Sequence, residues 1–90
     1  MTTTTDDPAA LIDRLREILV ASVMDRPPAA PIEPDDDLIA KGHIASLQML
    51  DLVEALEKEF SIRIPHYEVA PENFETLRRM ADYIAKKSGG

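Results

Sequence analysis

Apolar residues recur at intervals of three and four along three stretches of the chain, and this spacing predicts three amphipathic helices. The first stretch follows Asp7 and Pro8, a capping carboxylate and a proline suited to the first helical position. It ends before Pro27 and Pro28, which cannot continue a helix. Its core-facing stripe is predicted to contain Leu11, Ile12, Leu15, Ile18, Leu19, Ser22 and Val23.

The second helix is predicted from Ser46, whose hydroxyl suits an N-cap, to about Phe60, with Pro65 confirming the stop. Its buried face is predicted to contain Met49, Leu52, Val53, Leu56 and Phe60.

The opposite face of this helix is polar. On a wheel of about 100° per residue it carries Asp51, Glu54 and Lys58. Leu47 falls in the middle of this polar cluster and Leu50 at its edge, so Leu47 is predicted to face solvent.

The last helix is predicted to begin at Asn73 as its cap, with Lys86 and Lys87 near its negative C-terminal end. Between His66 and Pro71 there is room for one short helical turn. The buried stripe is predicted to contain Phe74, Leu77, Ala81 and Ile84, with Met80 beside it.

A long loop, residues 25–45, connects the first two helices, and loops of this length are usually functional or disordered. We expect an ordered loop pinned to the core by Ile32, Leu38, Ile39 and Ile44, with a turn at Asp37.

No strand alternation appears, so the predicted fold is all-α: a bundle of three main helices plus a short helix. We expect a disordered N-terminus (1–7), one folded domain (8–87) and a flexible tail (88–90). The residues predicted to form the hydrophobic core are Leu15, Leu19, Val53, Leu56, Phe60, Leu77 and Ile84.

Composition and charge limit the classes of partner that the protein can have. The 90 residues form one small domain, with 17 acidic against 10 basic residues and a net charge of -7. Such a surface disfavours nucleic acid and favours basic protein partners. The chain has no cysteine, and no apolar run approaches the roughly 20 residues that span a bilayer. We therefore expect a monomeric cytoplasmic protein without nucleic-acid binding or membrane insertion.

Two catalytic or metal-binding interpretations are weaker than their ordinary alternatives. A hydrolase pair of Ser46 and His43 lacks the glycine-rich strand-to-helix turn of such enzymes, and the domain has little room for a triad. A plain helix cap is the ordinary role of such a serine. The run Asp35 to Asp37 lacks the alternating acids and central glycine of a calcium loop, so a solvated charge run is preferred. We expect no catalytic residue and no metal site.

Four motifs, in order, make nearly the whole chain similar to the acyl and peptidyl carrier protein family. Gly42–Leu47, GHIASL, resembles the glycine, two residues and Asp-Ser-Leu that open the family's second helix. Residues 52–60, LVEALEKEF, resemble its LVxxLExxF stretch, and Ile62–Pro65 matches its I-x-I-P turn. Pro71–Leu77, PENFETL, resembles the last-helix entry of stand-alone D-alanyl, aminoacyl and polyketide-type carriers.

The resemblance implies a non-catalytic stand-alone carrier whose Ser46 bears covalent 4′-phosphopantetheine, attached by a phosphopantetheinyl transferase. The thiol of this arm would hold an acyl or aminoacyl intermediate as a thioester in fatty acid, polyketide or nonribosomal peptide biosynthesis. An acyl- or aminoacyl-loading ligase or transferase and downstream synthase enzymes are the other implied partners. The expected docking residues are Leu47, Leu50, Asp51, Glu54 and Glu57.

The chain departs from the family pattern at the residue before the serine. Ala45 stands where the family usually has aspartate, and Gln48 and Lys58 stand where many members have acids. Ala45 supports a second hypothesis, in which the chain is an unmodified, carrier-like helical module that acts as a structural or regulatory subunit.

Overall fold

The computed structural model describes residues 8–25, 27–28 and 30–89. The expectations for residues 1–7, including the Asp7 cap, and for Gly90 lie outside the described residues. Within the described part the chain is helical and contains no strand, which confirms the all-α prediction. The α-helices are α1 (Pro8–Ile18), α2 (Gln48–Phe60), α3 (Pro71–Phe74) and α4 (Leu77–Gly89).

The first helix ends in a wider, π-helical turn, Leu19–Val23. The apolar stripe is buried as predicted except at Ser22, which is exposed. The wider turn accounts for this difference, because it rotates Ser22 to the solvent side while Leu19 and Val23 remain in the core.

The core lies where α1 packs against α4 and the π-helical turn packs against α2. Six of the predicted core residues are buried. Phe60 is only partly buried, because it occupies the last turn of α2 at the edge of the core. The six predicted core residues that are buried are Leu15, Leu19, Val53, Leu56, Leu77 and Ile84.

The described part of the long loop is held to the helices, as expected. Ile32, Leu38 and Ile44 are buried, but Ile39 is 44% exposed and does not pin the loop. Two backbone bonds fix the loop to the end of α3 and the start of α4: Leu38 N–H donates to the Glu75 carbonyl (3.0 Å), and Arg78 N–H donates to the Pro34 carbonyl (3.0 Å).

The acidic run in this loop is not merely a solvated charge run. Each carboxylate has a partner: Asp35 with Arg78 (2.7 Å), Asp36 with His43 (3.3 Å) and Asp37 with the Ala40 N–H (2.9 Å). Hydrogen bonds lower the pKa of all three carboxyls: the bond from Arg78 acts on Asp35 and that from the Ala40 N–H on Asp37, whereas the pKa of Asp36 is lowered chiefly by the Glu33 N–H and less by His43. The three carboxylates therefore help to hold the loop in its conformation, and the predicted turn at Asp37 is present.

The last helix is interrupted, contrary to prediction. Asn73 lies inside α3 and donates its side-chain amide to the Glu68 carbonyl (2.9 Å), so it does not cap α4. Thr76 caps α4 instead, because its hydroxyl accepts the Arg79 N–H (3.1 Å). The backbone of α4 continues to Gly89, two residues into the segment expected to be a tail. None of the described helices is long and apolar enough to cross a membrane.

Candidate functional site

Ser46 lies in a tight turn immediately before α2. The expectation that its hydroxyl caps the helix is wrong, since it makes no hydrogen bond to any described residue and the regular helix begins only at Gln48. The side chain is exposed. Three backbone bonds form the turn: Gln48 N–H to Ala45 (2.9 Å), Met49 N–H to Ser46 (3.1 Å) and Leu50 N–H to Leu47 (3.2 Å). The hydroxyl is thus available for chemistry.

Gln48 fixes this turn with both ends of its side-chain amide. Its Oε1 accepts the Ala45 N–H (2.7 Å), and its Nε2 donates to the carbonyl of Val23 at the end of the first helix (3.0 Å). Sequence reasoning treated Gln48 only as a lost acid. A glutamine that reaches back to the N–H three residues earlier is one half of a capping box, but Ala45 lacks the hydroxyl by which that motif is recognised, so no local signal in the sequence marked this bond.

An apolar groove of about 500 Å³ opens beside Ser46. It lies between α2, the segment leading into α3, and the loop around Ile39. Asp37 and Glu75 add carboxylates to its lining. The apolar lining includes Ile39, Met49, Leu50, Val69, Ala70 and Phe74. The exposure of Ile39 is explained by this position, because its side chain lines the groove.

The outer face of α2 carries the side chains predicted to be solvent-exposed. Leu47 is 81% exposed, as its wheel position predicted, and Leu50, at the edge of the polar cluster, is 56% exposed. Asp51 and Glu54 are exposed beside them. Glu57 differs, because its Oε2 accepts the Ile64 N–H (2.8 Å) and is committed to the fold.

His43 is directed to the loop. Its Nε2 lies 3.3 Å from Asp36, whose other oxygen lies 3.7 Å from Lys41 Nζ. The pKa of Asp36 is lowered chiefly by the Glu33 N–H, with His43 contributing. No Ser46–His43 hydrogen bond exists among the residues described. In the same residues no group of three His, Asp or Glu side chains is placed to hold a metal ion.

Fold and site together define a small helical protein with one exposed hydroxyl at a helix start, next to an apolar groove. A family model described as a phosphopantetheine attachment site matches residues 13–84. Since the match covers most of the chain, the protein belongs to this family of carrier proteins, as the sequence motifs predicted.

Three relatives agree with this assignment. Aminoacyl carrier protein 2 of Bradyrhizobium diazoefficiens is 31% identical over 61 residues, 68% of this chain and 67% of that protein. Aminoacyl carrier protein 1 of the same organism is 42% identical over 55 residues, 58% and 60% of the two chains. An acyl carrier protein of Streptomyces coelicolor is 33% identical over 82 residues, 91% and 86% of the two chains. No solved structure matches the chain.

Family membership settles three general properties. The cofactor is covalent phosphopantetheine. The protein is a carrier and is not itself catalytic. Carrier proteins work with phosphopantetheinyl transferases and with synthase or ligase enzymes.

Proposed function

We propose that Ser46 is the phosphopantetheine attachment site and that the chain presents an acyl or aminoacyl thioester to partner enzymes. The observation that carries this assignment is the free, exposed hydroxyl of Ser46 at the start of α2. A serine in a purely structural role would be expected to cap the helix, and this one does not.

The surroundings of Ser46 fit the group. The N-terminal end of α2 is electropositive and favours the charge of a phosphodiester. The adjacent groove offers Met49, Leu50 and Phe74 to the arm or to an apolar cargo. When bound, the group supplies the thiol that carries the cargo as a thioester.

Attachment requires a transferase and coenzyme A. The Ser46 oxygen forms a bond to the pantetheine-side phosphorus of coenzyme A, and the pyrophosphate P–O bond breaks. The adenosine bisphosphate half leaves, and the hydroxyl proton passes to a base of the transferase. The chain contributes only the positioned hydroxyl.

The exposed face of α2 is the proposed docking surface for the transferase, the loading ligase or transferase, and the downstream synthases. Leu47 and Leu50 provide apolar contacts, and Asp51 and Glu54 attract basic partner surfaces. Glu57, expected in this set, is assigned a lesser part because its carboxylate already holds Ile64.

The cargo class is proposed from the groove and from relatives. Two relatives are named aminoacyl carriers and one is named an acyl carrier. The apolar lining accepts an acyl chain or the side chain of a small amino acid, while Asp37 and Glu75 suit an aminoacyl ammonium. We therefore propose an acyl or aminoacyl cargo within biosynthesis.

Intact mass spectrometry after incubation with a broad-specificity transferase and coenzyme A tests the assignment. We expect one phosphopantetheine mass gain in the native protein and none in Ser46→Ala. Ser22→Ala is the matched control, since Ser22 is also exposed, and it should be modified like the native protein. A native protein that stays unmodified would favour the structural-module hypothesis.

A further inference from the structure

The amide of Gln48 joins two parts of the molecule at the position where Ser46 is presented. The Ala45 N–H and the Val23 carbonyl bind opposite ends of the same side chain, at 2.7 and 3.0 Å. The Gln48 N–H returns a bond to the Ala45 carbonyl at 2.9 Å. Two hydrogen bonds between residues 45 and 48 therefore close a loop around Ser46 and Leu47. The bond from Gln48 to the Val23 carbonyl ties this loop to the end of the first helix.

Only an amide satisfies both partners. A carboxylate at position 48 can accept the Ala45 N–H, but it has no proton for the Val23 carbonyl. An apolar side chain of the same length satisfies neither. Ala45 has no polar side-chain atom that could accept the Gln48 N–H, so the bond from the Ala45 N–H to the Gln48 side chain is the side-chain cap that this turn has.

We propose that Gln48 is a positioning residue for the modification of Ser46, and that its amide provides the side-chain cap of a turn at which Ala45 offers none. This inference rests on the proposed role of Ser46. Gln48 holds the backbone of the Ser46 turn against the first helix, so that the hydroxyl reaches the transferase in one orientation. Attachment rates are sensitive to such orientation, because a displacement of about 1 Å can cost up to 100-fold.

The experiment measures the kcat of a phosphopantetheinyl transferase and its KM for the carrier protein, with coenzyme A in excess. The carriers compared are the native protein, Gln48→Met, Gln48→Glu and the double variant Ala45→Asp/Gln48→Met. Lys86→Met, on the exposed side of α4, is the control. Assays run well below each unfolding midpoint, so that lost stability does not lower the rate. Amide hydrogen exchange at Ala45 and Ser46 is measured by NMR on the same proteins.

We expect Gln48→Met to lower kcat about tenfold with KM nearly unchanged, and to speed amide exchange at Ala45. Gln48→Glu, which keeps the Ala45 bond, should retain an intermediate kcat. In the double variant an aspartate at position 45 can accept the N–H of residue 48, but it cannot donate to the Val23 carbonyl, so kcat should recover only in part, as in Gln48→Glu. Lys86→Met should match the native protein.

Two results would overturn the inference: a native-like kcat in Gln48→Met, or a double variant that is no faster than Gln48→Met. Both leave the role of Ser46 intact, provided that the native protein is modified and Ser46→Ala is not. If the native protein gains no mass, the proposed function fails and the inference fails with it.

Discussion

The two ends of α2 are built in opposite ways. At its start the Ser46 hydroxyl is free, Leu47 is 81% exposed and the turn is held by a side chain. At its end Ser61 adopts a left-handed conformation (φ 53°), and the chain turns back so that Ile64 enters the core. The Glu57 carboxylate fastens this turn through the Ile64 N–H.

The difference separates presentation from stability along one helix. The groups that we propose for attachment and docking lie at the open start, and they add little to the core. Groups that hold the fold lie at the closed end, where apolar burial and backbone hydrogen bonds combine. Substitutions at the start should therefore change modification and loading, whereas substitutions at the end should change the free energy of unfolding.

The largest effect is expected at the closed end. Ile64→Ala should lower the free energy of unfolding by about 2–5 kcal/mol, because it removes a buried aliphatic side chain. Chemical denaturation with urea measures this change. The modification rate of the folded fraction should stay native. A loss below about 1 kcal/mol would show that the turn after α2 does not seal the core.

A smaller gain is expected at Ser61. Ser61→Gly should raise the free energy of unfolding by about 1 kcal/mol, because glycine adopts the left-handed conformation without the Cβ penalty. Thermal and urea unfolding measure the gain. Ser22→Gly is the contrasting control, since glycine in a helical turn destabilises. An unchanged or lowered midpoint for Ser61→Gly would contradict this account of the closed end.

At the open start, Leu47→Ala should change the free energy of unfolding by no more than about 0.5 kcal/mol. The same variant should slow cargo loading, because an exposed apolar side chain within an acidic face suits partner docking. Melting temperature and loading rate are measured on one preparation. A destabilisation above about 1 kcal/mol would place Leu47 in the core instead.

The smallest effect concerns pH at the segment that follows the closed end. Glu68 accepts the Tyr83 hydroxyl and lies 3.0 Å from Lys87 Nζ, and these contacts lower its pKa, with Tyr83 the larger cause. The stabilisation is present above the unfolded value near 4.5 and is lost as pH falls through the lower folded pKa.

Unfolding midpoints measured from about pH 6 to pH 3 test this pH dependence. Glu68→Gln should remove part of the acid-dependent decline, leaving a flatter profile than the native protein. Parallel profiles for the two proteins would indicate that Glu68 contributes nothing in this range.

The exposed and buried faces of α2 were predictable from the sequence because helical periodicity is local. The spacing of Val53 and Leu56 placed them in the core, and that of Leu47 placed it in solvent. The serine itself was found through the motif around it, and its capping role was the ordinary alternative that the structure rejects.

Other features were not predictable because they depend on tertiary contacts. The bond from Gln48 to Val23 spans 25 residues, and the bond from Glu57 to Ile64 forms only once the chain has turned back. The break between α3 and α4 has a local signal in Thr76, but Asn73 offers an equally good cap nearby. Which of the two caps is used is determined by the contacts of each with its surroundings.

The most direct test of the central claim is fragmentation mass spectrometry of the native protein after modification. It assigns the phosphopantetheine mass gain to one residue. We expect the whole gain to reside on Ser46. A gain on Ser22, Ser61 or any other residue, or its absence from every fragment, would contradict it.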